Sequence, residues 1–251
     1  MRTNENVAVV TGASRGIGAE TAKLLARNGY AVCVNFKGQA AAAEKVAAEI
    51  RALGGRCIVV QADISNSADV KRLFEIVDKE LGKVSALVNN AGVLFQQSDF
   101  MGISEERFAE TLQVNVLGTF YCCQQAIKRM ALRYGGTGGT IVNVSSVASV
   151  TGSPNEYVDY AASKGAVDTL TIGLAKEMAN DSVRVNAVRP GLIYTDIHAA
   201  GGDADRVARL SSKIPMQRGG QPQEVAEAIY WLLSEKSSFT TGSTLNIAGG
   251  L

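Results

Sequence analysis

The chain has 251 residues, of which 46% are hydrophobic and 20% charged, and its formal net charge is +1. This balanced charge, without a long run of one sign, gives no reason to expect nucleic acid or an anionic membrane as a partner. No apolar stretch approaches the ~20 residues that span a membrane, and residues 1–6 lack the apolar core of a signal sequence.

The cysteines and the histidine limit the chemistry further. Cys33, Cys57, Cys122 and Cys123 lie inside apolar segments and form no CxxC pair, so we expect reduced, buried thiols and a cytoplasmic protein. His198 is the only histidine, and a zinc site or a Ser-His-Asp triad would have to use it. We therefore expect no metal site.

The first strand and the turn after it predict a phosphate-binding site. Residues 7–10 are a continuous apolar run, as expected of a strand buried on both faces of a parallel sheet. The run TGASRGIG follows at residues 11–18, and helical periodicity then continues to residues 28–29. A glycine-rich turn between strand and helix lets backbone N–H groups approach a phosphate. The alternative is a turn that only permits tight packing.

The second strand, residues 31–35, indicates which dinucleotide binds. The residues after this strand normally lie near the adenosine ribose, where a carboxylate accepts a hydrogen bond from the 2′-hydroxyl. This chain has Phe36 and Lys37 there, and Arg15 in the glycine turn. Two cations without a carboxylate favour a 2′-phosphate and therefore NADP. The alternative is a pair of solvated surface cations.

Polar residues follow the third and fourth strands, which are residues 57–60 and 86–88. Asp63 follows the third strand and could serve as a helix cap. The fourth strand leads into NNAG at residues 89–92. In the next helix Asn115 stands among apolar residues, and a buried asparagine needs partners. It could satisfy freed backbone groups at a helix bend or act in the site.

The fifth strand, residues 140–144, leads to Ser145 and Ser146, and Tyr160 and Lys164 follow. The tyrosine and the lysine are four residues apart, which places both on one side of a helix. An ammonium group near a phenol favours its anion, so we expect a lowered tyrosine pKa and proton transfer near neutral pH. The two serines point in opposite directions, because strand side chains alternate.

The sixth strand, residues 183–188, is followed by PGLIYT at residues 190–195. The segment 196–215 has mixed polarity, and we expect a mobile lid over the substrate there. His198 lies in this segment, and we expect its side chain to face solvent. The alternative is contact with the substrate.

The alternation of strands and helices predicts the fold. A last helix starts at Pro222, with proline in its favoured first turn, and a last strand covers residues 241–247. Strand and helix alternate seven times, so we expect one α/β domain over residues 1–251. It should be a Rossmann-type, doubly wound, seven-stranded parallel sheet with helices on both faces. Ligands of such sheets bind at the carboxyl ends of the strands.

Taken together, these motifs resemble the short-chain dehydrogenase/reductase family over essentially the whole chain. The matching features, in chain order, are TGxxxGxG at 11–18, NNAG at 89–92, Asn115, Ser146, Tyr160 with Lys164, and PGxxxT at 190–195. One departure is Ala248, which stands where the family usually has Asp before two glycines.

The resemblance implies an oxidoreductase that transfers hydride between NADP(H) and a carbonyl or secondary alcohol substrate. Its implied catalytic residues are Asn115, Ser146, Tyr160 and Lys164, with Tyr160 as general acid/base. The alternatives are an NAD-dependent sugar or alcohol dehydrogenase and a non-catalytic dinucleotide-binding regulator. Divergent enoyl reductases separate the tyrosine and lysine by six residues, whereas three intervene here.

The resemblance also implies the cofactor contacts and a homotetramer. The implied cofactor-binding residues are Gly12, Ser14, Arg15, Gly16, Ile17, Gly18, Lys37, Asp63, Ile64, Asn90, Ala91, Gly92, Tyr160, Lys164, Pro190, Gly191, Ile193 and Thr195. The substrate pocket should be formed by the loops at 93–101, 147–159 and 196–215, with Phe95, Tyr157, Tyr194 and His198 making it partly aromatic. These residues predict a small-molecule substrate and do not identify it.

Overall fold

The computed structural model describes residues 6–251, and within them seven strands form one parallel sheet in the order β3-β2-β1-β4-β5-β6-β7. The strands are β1 (Val7–Val10), β2 (Ala31–Phe36), β3 (Cys57–Gln61), β4 (Ala86–Asn89), β5 (Gly139–Val144), β6 (Val183–Pro190) and β7 (Thr244–Ile247). Each neighbouring pair is parallel. The predicted Rossmann-type fold is confirmed.

Helices cover both faces of this sheet. They are α1 (Gly16–Arg27), α2 (Ala40–Ala52), α3 (Ser67–Glu80), α4 (Glu105–Leu112), α5 (Thr119–Met130), α6 (Ala148–Thr151), α7 (Val158–Met178), α8 (Ile197–Ala200), α9 (Arg206–Leu210) and α10 (Pro222–Leu233). Local chemistry fixes several helix starts. The Asn66 side chain accepts from two backbone N–H groups at the start of α3, and Gln221 with Glu224 forms a capping box around Pro222 at the start of α10.

Alternate strand residues feed two hydrophobic layers. In β1, Val7 and Val9 pack into the layer that contains α3 and α5, whereas Ala8 and Val10 pack into the layer that contains α1, α2 and α10. All four residues of β1 are buried, with at most 2% of their surface exposed. Burial on both faces explains why the strand has no polar residue.

Three local features differ from the expected elements. The helix that contains Asn115 is divided into α4, a wide turn of π-helical type at Gln113–Gly118, and α5. The segment 196–215 contains the short helices α8 and α9. The last strand starts at Thr244, three residues later than expected.

No helix within residues 6–251 combines the length and apolarity needed to cross a membrane. All four cysteines, each inside this range, are free thiols. Burial raises the pKa of the Cys123 thiol to about 12, so it stays protonated. Residues 1–5, on which the expected lack of a signal sequence largely rests, lie outside the described residues.

Candidate active site

A cavity of about 600 Å³ runs along the carboxyl ends of the strands. It brings together residues from the turns after β1, β2, β3, β4, β5 and β6. Of the residues predicted for the site, those that line it are Gly12, Ser14, Arg15, Gly16, Ile17, Lys37, Asp63, Ile64, Asn90, Ala91, Gly92, Ser146, Tyr160, Lys164, Pro190, Gly191, Ile193 and Thr195. Gly18 and Asn115 are not among the residues that line the cavity.

The glycine turn, residues 11–18, packs tightly against the end of β4. A Cβ on Gly12 would lie 2.8 Å from the Ala91 Cα, and one on Gly18 would lie 2.4 Å from the Asn90 Nδ2. The same Asn90 nitrogen donates to the carbonyls of Thr11 (2.9 Å) and Gly12 (3.0 Å). Gly18 therefore acts through packing, because its missing side chain lets Asn90 hold the turn.

Two further polar residues hold this turn, and the sequence analysis missed both. The Thr11 hydroxyl oxygen accepts from the backbone N–H groups of Asn90 and Ala91, each at 3.0 Å. Asn35 is 1% exposed; it donates to the carbonyls of Val60 and Ala62 and accepts from the Gly12 N–H. The sequence did carry a signal for Asn35. An amide side chain inside an otherwise apolar strand indicates a buried polar group with specific hydrogen-bond partners.

The two predicted phosphate-binding cations face carboxylates. The Lys37 Nζ is 2.8 Å from the Asp63 Oδ2, and the Arg15 guanidinium is 3.9 Å from the Asp196 carboxylate. Burial disfavours the charged form of Asp63, but hydrogen bonds from Lys37 and Ser65 outweigh it and lower its pKa. Asp63 is not a helix cap, because Asn66 caps α3. Both cation side chains remain more than half exposed at the cavity.

Ser146 is the serine that faces Tyr160. The Ser145 hydroxyl is buried and donates to the carbonyl of Lys164 at 3.3 Å, which commits it to α7. The Ser146 Oγ accepts from the Ala148 N–H at 3.1 Å, and the Ser146 side chain lies near enough to the Tyr160 hydroxyl to oppose the rise in its pKa. This contact supports the choice of Ser146 over Ser145.

The expected lowering of the Tyr160 pKa is wrong for this structure. Burial raises the pKa of Tyr160 to about 12, and the Ser146 side chain only partly opposes the shift. The Lys164 Nζ lies 5.4 Å from the centre of the Tyr160 ring and donates to the Val144 carbonyl at 2.8 Å. Burial lowers the pKa of Lys164 to about 8, with Asp168 opposing the shift. Desolvation therefore outweighs the attraction that the sequence led us to expect.

Asn115 lies at the π-type turn with no exposed surface. Its amide donates to the Val93 carbonyl (3.1 Å) and the Ser163 hydroxyl (3.0 Å), and its Oδ1 accepts from the Val93 N–H at 2.8 Å. Its own carbonyl accepts from the Thr119 hydroxyl at 2.9 Å. The side chain thus ties the loop after β4 to α7, so the expected structural role at a helix bend is present.

The substrate side of the cavity differs from expectation in three aromatic positions. His198 is 8% exposed, and its Nε2 lies 2.9 Å from the Ile193 carbonyl, so the expectation that it faces solvent is wrong. Phe95 and Tyr194 do not line the cavity. Tyr157 does line it, and its hydroxyl donates to the Gly201 carbonyl at 3.1 Å, which joins the wall to the 196–215 segment.

Two features of the cavity suit a nicotinamide dinucleotide. Backbone approaches it at the glycine turn, where Gly12 and Gly16 have φ values of +61° and +56° that favour glycine. Arg15 and Lys37 supply positive charge near that end. Residues 6–251 contain no group of three or more His, Cys, Asp or Glu side chains that could hold a metal ion.

Known proteins resemble this chain over nearly its full length. A family model described as enoyl-(acyl carrier protein) reductase matches residues 12–251. The "Uncharacterized oxidoreductase YgfF" of Escherichia coli is 56% identical over 97% of this chain and 99% of its own length. The 3-oxoacyl-[acyl-carrier-protein] reductase FabG of Staphylococcus aureus is 36% identical, with 97% of each chain covered.

A solved structure agrees with the sequence relatives. The crystal structure of acetoin dehydrogenase YohF from Salmonella typhimurium superposes with a TM-score of 0.86 and 32% identity, covering 98% of this chain and 96% of that chain. The sequence matches and this superposition each cover nearly the whole chain. The chain therefore belongs to the short-chain dehydrogenase/reductase family and is an oxidoreductase.

Proposed function

We propose that the protein is an NADP(H)-dependent reductase of a carbonyl compound, or in reverse a dehydrogenase of a secondary alcohol. The observation that carries this proposal is that Ser146, Tyr160 and Lys164 line one cavity. The glycine turn and the two cations, Arg15 and Lys37, line the same cavity. When bound, the nicotinamide cofactor supplies or accepts a hydride. The chain's own residues bind and orient the substrate and transfer the proton.

Tyr160 is the proposed general acid. With a pKa of about 12, its hydroxyl is protonated at neutral pH and can donate to a carbonyl oxygen that becomes an alcohol. Ser146, which lies beside the Tyr160 hydroxyl and opposes the rise in its pKa, is proposed to donate to the same oxygen and hold it in place. Alcohol oxidation would use Tyr160 as the base, and its raised pKa makes that direction harder at neutral pH.

Lys164 and Asn115 have proposed supporting roles. The Lys164 ammonium, which already donates to the Val144 carbonyl, would also bind the nicotinamide ribose hydroxyls. Asn115 is proposed to take part in refilling the Tyr160 proton through water. Its side chain fixes Val93 and Ser163, next to Lys164 in α7, which supports a position on such a path.

The proposed preference for NADP over NAD rests on Arg15 and Lys37. A 2′-phosphate would bind both cations, and Lys37 could exchange its Asp63 partner for it because the lysine side chain is 67% exposed. NAD would offer only a hydroxyl at this position. Ser14, Ile17, Ile64, Gly191 and Thr195, which line the cavity, complete the proposed cofactor site.

We also propose that the protein forms a homotetramer in the cytoplasm. Each subunit would be one catalytic domain over residues 1–251, with a mobile lid at 196–215. Apolar side chains left exposed on the chain support self-association: Leu117, Phe120, Ile172, Trp231, Phe239 and Leu245. Free thiols support a reducing compartment.

A panel of ketones, aldehydes, sugars and alcohols, each assayed with NADP(H) and NAD(H), tests the proposal. We expect carbonyl reduction with NADPH at a higher kcat/KM than with NADH. Equal or better turnover with NADH would overturn the cofactor preference. No turnover of any carbonyl or alcohol with either cofactor, by enzyme that still binds the nucleotide, would favour a non-catalytic binding protein.

A further inference from the structure

The cavity that Ser146 and Tyr160 line also has a second group of polar residues in its wall. Glu156, His198 and Arg206 all line it, and we call these three residues the polar end. Glu156 comes from the loop before α7, whereas His198 lies on α8 and Arg206 on α9. None of the three belongs to the proposed proton-transfer residues, which leaves them available to contact another part of the substrate.

Arg206 is already neutralised by Glu156. Its Nη1 donates to the Glu156 Oε1 at 3.0 Å and its Nη2 to the Oε2 at 2.5 Å. The guanidinium also lies over the Tyr157 ring, with its carbon 5.2 Å from the ring centre. The Arg206 side chain is 10% exposed and that of Glu156 is 33% exposed. The carboxylate is therefore the more accessible partner of this pair.

His198 contributes a second acceptor. Its Nε2 lies 2.9 Å from the Ile193 carbonyl, and a carbonyl oxygen only accepts, so Nε2 carries the proton. Burial lowers the pKa of His198, which keeps the ring neutral at pH 7. The Nδ1 of a neutral ring is then an acceptor, and it has no hydrogen-bond partner among residues 6–251.

The polar end therefore offers hydrogen-bond acceptors to a substrate, while its one cationic side chain, Arg206, is already paired with Glu156. A carboxylate has about four lone-pair sites, and Arg206 uses two of those on Glu156. An anionic group of a substrate would meet Glu156 before it met the buried guanidinium, and like charges repel. A hydroxyl group would instead donate to Glu156.

We propose that the polar end selects uncharged substrates with a hydroxyl group beyond the reacting carbonyl, namely hydroxy ketones or hydroxy aldehydes and the matching diols. This substrate class rests on the proposed function, since it assumes that Tyr160 and Ser146 hold the carbonyl. Glu156 is the proposed specificity-determining residue, and Arg206 positions its carboxylate.

Three ketones of similar size test this selection. They are 4-hydroxybutan-2-one, pentan-2-one, in which a methyl replaces the hydroxyl, and 4-oxopentanoate, which carries a carboxylate. We measure kcat/KM with NADPH, and affinity by calorimetry in the presence of NADP⁺. We expect the hydroxy ketone to exceed pentan-2-one about 10- to 100-fold, since a site built to bind a hydroxyl discriminates against an analogue without one. The keto acid should be the poorest of the three.

The variant Glu156→Gln separates charge from size. It keeps the shape of the side chain but leaves the Arg206 charge unpaired, so 4-oxopentanoate should improve at least about tenfold while the hydroxy ketone loses its advantage. The gain on one substrate shows that the variant is folded. Glu44→Gln is the matched control, because Glu44 pairs with Arg51 on the surface of α2, away from the cavity. It should leave all three values unchanged.

The outcomes separate this inference from the proposed function. Equal values for the hydroxyl and methyl ketones, or a wild-type preference for 4-oxopentanoate, would overturn the inference while carbonyl reduction stands. If no ketone is reduced but the hydroxy ketone binds more tightly than pentan-2-one, and Glu156→Gln abolishes the difference, the selection stands and the proposed reaction fails. Absence of any difference in binding would overturn the selection in that case too.

Discussion

The glycine turn and the polar end are held by different kinds of contact. At the glycine turn, backbone groups and short side chains lock together, as in the bonds of Thr11 and Asn90. At the polar end, long side chains from separate elements meet, as in the pair of Glu156 and Arg206. A backbone cradle has little freedom to vary, whereas a pair of side chains can change with the substrate. The first end therefore fits a cofactor shared by many relatives, and the second can distinguish one substrate from another.

The largest effect should come from Tyr160. Tyr160→Phe removes the only proposed proton donor, so kcat should fall about 10³-fold, within the range for loss of a general acid. The affinity for NADPH, measured by fluorescence titration, should be kept.

Tyr121→Phe is a suitable control because Tyr121 lies on α5 and does not line the cavity. It should retain full turnover. A Tyr160→Phe enzyme with more than about a tenth of the wild-type rate would mean that another acid supplies the proton.

Removing the cations at the glycine turn should have the next largest effect. We expect Arg15→Gln combined with Lys37→Gln to weaken NADP binding about 10- to 100-fold, because each exposed charged contact contributes roughly 1 kcal/mol. NAD binding should change little. Calorimetry with both nucleotides measures the difference, and Lys45→Gln, an exposed lysine on α2, is the control. Equal weakening of both nucleotides would remove the basis for the NADP preference.

The pH dependence of reduction should report Lys164. Burial lowers its pKa to about 8, so the ammonium loses its proton as pH rises through that value. If the charge is needed, kcat/KM for carbonyl reduction should be level below pH 8 and fall about tenfold per pH unit above it. Circular dichroism across the same range checks that the fold is intact. A rate that rises above pH 8 would show that the charged lysine is not required.

Smaller effects are expected on the free energy of unfolding, which compares the glycine turn with the substrate side of the cavity. Gly18→Ala would place a Cβ 2.4 Å from the Asn90 Nδ2, so we expect a loss of about 1–3 kcal/mol. Tyr157→Phe removes only the bond to the Gly201 carbonyl at the substrate side and should cost about 1 kcal/mol.

Thermal unfolding measures both changes, and Gly173→Ala is the control. Gly173 lies in α7 with nothing within 4 Å of an added Cβ, so alanine should be neutral or stabilising there. A larger loss of stability for Tyr157→Phe than for Gly18→Ala would contradict the contrast drawn between the two ends.

Local patterns predicted the sheet and the glycine turn well. The apolar runs identified central strands such as β1 and β2, because a strand in the middle of a parallel sheet is buried on both faces. The edge strand β7, which is partly exposed, was placed less well. The π-type turn at Asn115 and the helices α8 and α9 were not predicted, since they depend on contacts between distant segments. His198 shows the reason: its burial depends on the Ile193 carbonyl and on the packing of the 196–215 segment, and no periodicity in that segment indicates it.

The structure reversed the expectation for the Tyr160 pKa. The spacing of Tyr160 and Lys164 places the two groups near each other, but spacing carries no information about how much water each retains. In the structure Lys164 is buried and Tyr160 is partly buried at the cavity wall, and the loss of hydration moves the two pKa values in opposite directions, each toward the neutral form. Tyr160 is thereby kept protonated, which suits the acid needed for carbonyl reduction.

The most direct test of the account is a crystal structure of the enzyme with NADP⁺ and 4-hydroxybutan-2-one. We predict that one ketone oxygen lies within about 3 Å of both the Ser146 Oγ and the Tyr160 hydroxyl, with the substrate's own hydroxyl directed toward Glu156. A ketone bound elsewhere, or a Tyr160 hydroxyl turned away from its oxygen, would contradict the proposal that this wall of the cleft performs the reduction.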